Sequence, residues 1–276
     1  MTLHITTITP NHVVIVSDRL VVTTGGYREL DNDRYKHLVL ITDDARAVIT
    51  YAGFAGILGQ DNQLGKTTID WLTDTICNTS HEGYHTIQKH MDDIRDHAQE
   101  YVDGLRAQGI SLETLRLAVA AWGWIGGEQF GYVIDNCIDK WWTWADKARP
   151  CFRMRAKTYG NDRFRDGSHT AVLCNERLAM RQRALFRLLE IKARSEQPKE
   201  IFNVSVSIIR AAAAAPESIE SIGNNCSGVR ISRNDPGIEE YDDRIGKNYI
   251  VMSNFIVSQS KMSFYTGNFR GYSGVE

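Results

Sequence analysis

Apolar and polar positions trade places from the start of the chain. Residues 2–9 and 12–17 are rich in β-branched and apolar side chains, with Pro10-Asn11 between them, which predicts a hairpin. A second hairpin is expected from residues 37–42 and 47–52 about the turn Asp43-Asp44-Ala45-Arg46. The polar stretch 23–33 contains Gly25-Gly26 and reads as a loop. After Gly53-Phe54-Ala55-Gly56 the period changes. Ile69, Leu72 and Ile76, then Ile87, Met91, Ile94, Ala98, Tyr101 and Leu105, recur at three and four residues, as on two consecutive amphipathic helices ending near Ala107.

Strand character returns at 115–122, and a turn at Gly126-Gly127 leads into 129–135. Residues 140–172 read as a strand followed by an irregular, charged insertion. Helical periodicity recurs over 175–196 and again over 199–215, the latter stopped before Pro216. The chain ends in strands at 228–232, 249–252 and 255–257. No linker, repeat or low-complexity tract divides it. Grouped strands alternating with helix pairs indicate one α+β domain spanning 1–276, with helices outside stacked sheets.

Composition narrows the class. Hydrophobic residues make up 42% and charged residues 24% of the 276, and the net charge is −2, so no basic stripe argues for nucleic acid or an anionic membrane. Cys77, Cys137, Cys151, Cys174 and Cys226 are scattered without a C-x-x-C spacing, which suits reduced thiols in a cytoplasmic protein. The first residues lack the pattern of a signal peptide, and no apolar run reaches the ~20 residues of a membrane span.

The chemistry begins at Thr2. Met1 is normally trimmed when the second residue is small, and trimming would leave a threonine with its hydroxyl and a free α-amine on one residue. A hydroxyl is a weak nucleophile without a base, and an α-amine titrating near ~7.7–8.0 can supply one at cellular pH. Asp18 follows Thr2 sixteen residues later, at the end of the first hairpin.

Four stretches, in order, are similar to the proteasome β-type branch of the N-terminal-nucleophile hydrolases. They are Thr2 with Asp18 in Val13-Val14-Ile15-Val16-Ser17-Asp18-Arg19, Lys36 entering a strand, Ala52-Gly53-Phe54-Ala55-Gly56 at a strand-to-helix turn, and Cys226-Ser227-Gly228-Val229 after the last long helix. With Thr2 directly after Met1, the chain most resembles the stand-alone bacterial members that lack a propeptide. The resemblance covers most of the chain and implies a four-layer αββα sandwich. It also implies a threonine-type amide hydrolase, a peptidase in the first instance, that self-assembles through its helix pairs at 64–107 and 175–215.

In that arrangement Thr2 attacks the carbonyl and Lys36 supplies a fixed positive charge that lowers the α-amine pKa. Asp18 anchors the Lys36 ammonium by a charge-assisted hydrogen bond. Gly53 offers its backbone N–H to the oxyanion. Ser227 resembles the serine that hydrogen-bonds the terminal amine. His37 fits the apolar pattern of the following strand as well as Lys36 does, and one residue of register decides between them. Asn224 stands where the family often has aspartate, and Gly167-Ser168 is the nearest match to its Ser-Gly run. Tyr51, two residues before Gly53, is expected to line the specificity pocket.

Two further readings follow from the same nucleophile and fold: a non-peptidase amidase or acylase, and a catalytically silent scaffold or binding subunit. His81-Glu82-Gly83-Tyr84-His85 matches H-E-x-x-H, but Asn78-Thr79-Ser80 before it looks like a helix start with Ser80 as N-cap, and Gly83 weakens a ligand helix. Gly65-Lys66-Thr67 lacks the first glycine of a phosphate loop. The expectation is therefore no metal and no cofactor. The expected partners are a peptide or amide substrate and further copies of the chain, without nucleic acid or membrane. An unfoldase partner is left open.

Overall fold

A computed structural model describes residues 3–22, 29–31, 35–54, 56–58, 64–139, 144–145, 147–158, 168–173, 179–218, 222–235, 237–242, 249–251, 254–260, 262–266 and 270–272. Two sheets carry the architecture. The first is antiparallel, in the order β8-β1-β2-β9-β10, from β1 (His4–Ile8), β2 (His12–Asp18), β8 (His169–Leu173), β9 (Cys226–Ser232) and β10 (Ile238–Asp242). The second runs β7-β6-β5-β4-β3-β11-β12. Its strands are β3 (His37–Thr42), β4 (Ala45–Gly53), β5 (Leu117–Ile125), β6 (Glu128–Asp135), β7 (Arg153–Thr158), β11 (Asn254–Gln259) and β12 (Met262–Thr266), and only β3 and β11 pair parallel.

Strand alternation sorts side chains between the layers. Ile8, Val13, Ile15, Val229 and Ile231 of the first sheet meet Val39, Val48, Ala118, Ala120, Trp122 and Trp124 of the second in a central apolar seam. Trp122 and Trp124 are thus core residues. On its other face the second sheet packs Leu38, Leu40, Ile49 and Tyr51 against α1 (Thr68–His81) and α2 (Ile87–Ala107). The outer face of the first sheet packs Ile5, Val14 and Val16 against α3 (Arg183–Arg194) and α4 (Pro198–Ala213). The fold is the four-layer αββα sandwich expected from the sequence. No helix among the described residues is long and apolar enough to cross a membrane.

Several boundaries differ from the sequence expectation. The second hairpin turns on Asp43 and Asp44 alone, because the Thr42 hydroxyl accepts from Ala45 N at 2.9 Å and Ala45 already opens β4. Ser80 does not start a helix. It lies in the last turn of α1 and donates to the Ile76 carbonyl at 2.8 Å. Thr67 caps α1 in a capping box with Asp70, and Thr86 caps α2. The 140–172 stretch contains two strands, β7 and β8, each at the edge of its own sheet. Residues 174–178 lie outside the described residues, and the helix expected over 175–196 is seen from Arg183.

Candidate functional site

β2 runs apolar from Val13 to Val16 and ends on Ser17 and Asp18, with Arg19 directly after it, all three buried. A carboxylate in that position needs partners, since an unpaired buried charge costs several kcal/mol. Asp18 has them. Its Oδ1 accepts from Leu3 N at 2.7 Å, and its Oδ2 accepts from Lys36 Nζ at 3.1 Å, Leu20 N at 3.2 Å and Gly223 N at 3.2 Å. Lys36 and Asp18 are both fully buried, and the ammonium also donates to the Leu20 carbonyl at 2.6 Å. Asp18 N donates back to the Leu3 carbonyl at 3.2 Å. Gly223 approaches so closely that a Cβ would lie 2.7 Å from that of Leu20.

Lys36, rather than His37, is therefore the residue at the carboxylate. His37 opens β3 with its Cα opposite Thr50. Its ring is edge-on to Tyr35 at 5.5 Å, and neither nitrogen has a hydrogen-bond partner among the described residues. Burial, reinforced by the Arg19 guanidinium, lowers its pKa to about 3. Arg19 lies 4.5 Å over the Tyr35 ring and pairs with Asp242 at 3.0 Å.

Thr2 falls outside the described residues, which begin at Leu3. Gly53 ends β4 at φ +96°, with Phe54 N bonded to the Arg116 carbonyl at 2.8 Å. A Cβ at Gly53 would stand 2.2 Å from that carbonyl oxygen, so glycine is required by conformation and space together. Ser227 is buried in β9 opposite Ser17, one register step from the Cys226–Asp18 pair, and its Oγ has no hydrogen-bond partner among the described residues. The fold thus joins Asp18 and Lys36 and sets Ser227 beside them. Gly53 stands on the second sheet, with no direct contact to these three among the described hydrogen bonds. Tyr51 is buried against the helices. Asn224 is exposed, and its carbonyl accepts from Arg210 Nε at 3.2 Å.

Two residues at this end of the seam escaped the sequence reading. His4 Nε2 lies 2.5 Å from the Tyr51 carbonyl and His4 Nδ1 lies 2.8 Å from Thr50 Oγ1. Burial and the Lys36 ammonium hold the His4 pKa well below its ordinary value, although the bond to Tyr51 opposes them. The available signal was an imidazole inside a strand whose other members are apolar or β-branched. The H-E-x-x-H residues do not form a ligand helix: His81 ends α1, Gly83 turns at φ +86°, and His85 lies beyond it. No group of three metal-ligating side chains occurs among the described residues.

No protein-family profile and no curated protein matches the chain. Solved structures do. An Anbu Gly-1 mutant from Hyphomicrobium sp. strain MC1 superposes with TM-score 0.50 at 12% identity, covering 89% of this chain and 88% of that one. Anbu from Yersinia bercovieri, described as an ancestral beta-subunit, gives 0.50 at 9%, covering 87% of each chain. Anbu from Pseudomonas aeruginosa, solved as a helical assembly, gives 0.51 at 10%, covering 89% and 88%. The likeness is one of fold.

That corrects the family resemblance read from the sequence. The neighbours are Anbu proteins at 9–12% identity and no family profile matches, so membership of the proteasome β-type hydrolases does not hold for this chain. The four motifs that suggested it sit at structural positions of the sandwich: the end of β2, the entry to β3, the end of β4 and the start of β9.

Proposed function

We propose that the chain is a threonine-type amide hydrolase, with peptides as its substrate class and Thr2, freed by removal of Met1, as nucleophile. The observation that carries the proposal is the chain of contacts from Leu3 N to Asp18 Oδ1 and from Asp18 Oδ2 to Lys36 Nζ. The residue next to Thr2 is thereby tied to the carboxylate that anchors a buried ammonium.

In the proposed reaction the Thr2 α-amine takes the Oγ proton as Oγ bonds to the amide carbonyl carbon. The oxyanion is met by the Gly53 N–H, and Lys36 favours the developing negative charge. Collapse breaks the C–N bond, and the leaving amine takes the proton from the α-amine. Water then attacks the ester, giving its proton to the α-amine, and Thr2 Oγ leaves and recovers it. Ser227 Oγ, buried and without a partner among the described residues, is assigned to the α-amine.

Intact-mass measurement is expected to show a chain beginning at Thr2, and Thr2→Ala to lower peptide hydrolysis by roughly a thousandfold or more. Retained Met1, or hydrolysis unchanged in the variant, overturns the proposal. A non-catalytic scaffold is favoured by one observation: Asp18 gathers Leu3, Leu20, Gly223 and Lys36 into a knot that has structural value without any reaction. An inert chain with that knot intact is the outcome that selects it. Self-assembly belongs to the same proposal, supported by the helical assembly of the Pseudomonas Anbu. Light scattering that returns a monomer at working concentration removes that part alone.

A further inference from the structure

His4 spans the two sheets. It stands opposite Ser17, which stands opposite Ser227, so the three form a row across β1, β2 and β9. The seam beyond them is apolar. Here, however, the His4 ring crosses to β4, with Nε2 at 2.5 Å from the Tyr51 carbonyl and Nδ1 at 2.8 Å from Thr50 Oγ1.

The protons can be counted. A carbonyl oxygen only accepts, so Nε2 carries a hydrogen. Thr50 has one hydroxyl hydrogen and two acceptors in reach, His4 Nδ1 and the Lys36 carbonyl at 2.9 Å. With His4 neutral, Thr50 donates to Nδ1, and the Lys36 carbonyl keeps the N–H of Tyr51 at 3.4 Å. With His4 charged, both ring nitrogens donate and Thr50 turns to Lys36. Full burial beside the Lys36 ammonium favours the neutral form. The other titratable group acting on the ring is His37 on β3; Asp18 pairs with the Lys36 ammonium, and Arg19, next after β2, acts on His37.

In sequence Thr2 precedes by two residues His4, which opens β1 of the first sheet. Gly53 lies two residues after Tyr51, at the end of β4 in the second. The polar tie between His4 and Tyr51 thus joins β1, which follows Thr2 in sequence, to β4, which ends on Gly53. We propose that His4 is a positioning residue for this site, and that its Nε2–H tautomer, held between the Tyr51 carbonyl and the Thr50 hydroxyl, fixes the separation between nucleophile and oxyanion donor. The inference rests on the reading of Thr2 as nucleophile given above.

The test uses the full chain, a peptide epoxyketone as probe, and mass spectrometry to time its adduct on Thr2. His4→Gln keeps an N–H where Nε2 stands. His4→Asn places its amide where Nδ1 stands and removes the imidazole donor to the Tyr51 carbonyl. Wild type and His4→Gln are expected to label within about threefold of each other. His4→Asn and His4→Phe should label about tenfold to a hundredfold more slowly at saturating probe, with the half-saturating concentration unchanged, since a displacement of ~1 Å costs about that much. Ring nitrogen shifts should report the Nε2–H tautomer in the wild type, with Nδ1 altered in Thr50→Val.

Equal labelling across the four proteins overturns the proposal, and so does an Nδ1–H tautomer. Where His4→Phe fails to fold, the contrast between His4→Gln and His4→Asn decides. A wild-type chain whose Thr2 does not react overturns the hydrolase reading and this inference with it. A reactive wild type indifferent to His4 overturns this inference alone.

Discussion

Gly53 concentrates the local demands of the site into one residue. Its φ of +96° lies in the region L side chains rarely adopt, and a methyl group there would press within 2.2 Å of the Arg116 carbonyl oxygen. Backbone, not a movable side chain, occupies that space. Gly53→Ala is therefore expected to destabilise the chain by roughly 2 kcal/mol or more, read by chemical denaturation. A variant as stable as wild type removes the argument that glycine is required for conformation. Such a glycine is legible in sequence only as a turn residue, since Arg116, whose carbonyl crowds it, comes sixty-three residues later. The pairing of Lys36 with Asp18 was expected through the family resemblance alone; the physical reason for it, a buried carboxylate that needs a cation, appears only once burial is seen. His37 remained a rival because sequence does not fix which face of β3 meets the seam. The structure separates them by reach, since the flexible lysine arrives from the residue before the strand while the short imidazole stays within the seam.

Elements were legible wherever one face is apolar and ends carry a local signal. β1, β2 and β3 alternate cleanly between the helix layer and the seam, and their bounds were read to within two residues. The junction between α1 and α2 was not. Asn78-Thr79-Ser80 has the composition of a helix start, yet Thr79 and Ser80 donate back to Thr75 and Ile76 at 3.0 and 2.8 Å inside α1. What fixes the helix end is tertiary. Ser258 of β11 lies 2.7 Å from Ser80 Oγ, 3.1 Å from His85 Nδ1 and 2.9 Å from His90 Nε2, gathering both helices at one hydroxyl. A contact between residues nearly two hundred positions apart leaves no trace in local composition. The same holds for β10 and β12, edge strands whose pattern does not advertise a partner. His85, the second histidine of the H-E-x-x-H match, thus belongs to the joint between a helix hairpin and the sheet.

At the scale of the molecule, three histidines are folded away from water with lowered pKa values, and this ties stability to pH. Burial lowers His37 to about 3 and His90 to about 4, and pushes His4 downward as well. In the unfolded chain each titrates near ~6.5. Between those values the unfolded state binds more protons than the folded state, so stability rises with pH through the window and falls on acidification. The loss begins below about pH 6.5 and grows by up to about 1.4 kcal/mol per pH unit for each group. The slope eases near 4 for His90 and near 3 for His37, where the folded forms also protonate. Denaturant unfolding repeated at steps from about pH 7.5 to about pH 4.5 measures this directly. His37→Leu separates the His37 share, because that ring has no hydrogen-bond partner among the described residues to lose and its replacement leaves no orphan behind there. The variant should match or exceed wild-type stability at acid pH and show a shallower slope by one proton. An unchanged slope in His37→Leu would mean that the ring already titrates in the folded state, with water reaching the seam beside Lys36. The dry, low-dielectric setting on which the buried Asp18–Lys36 pair depends would then be lost together with the pH argument.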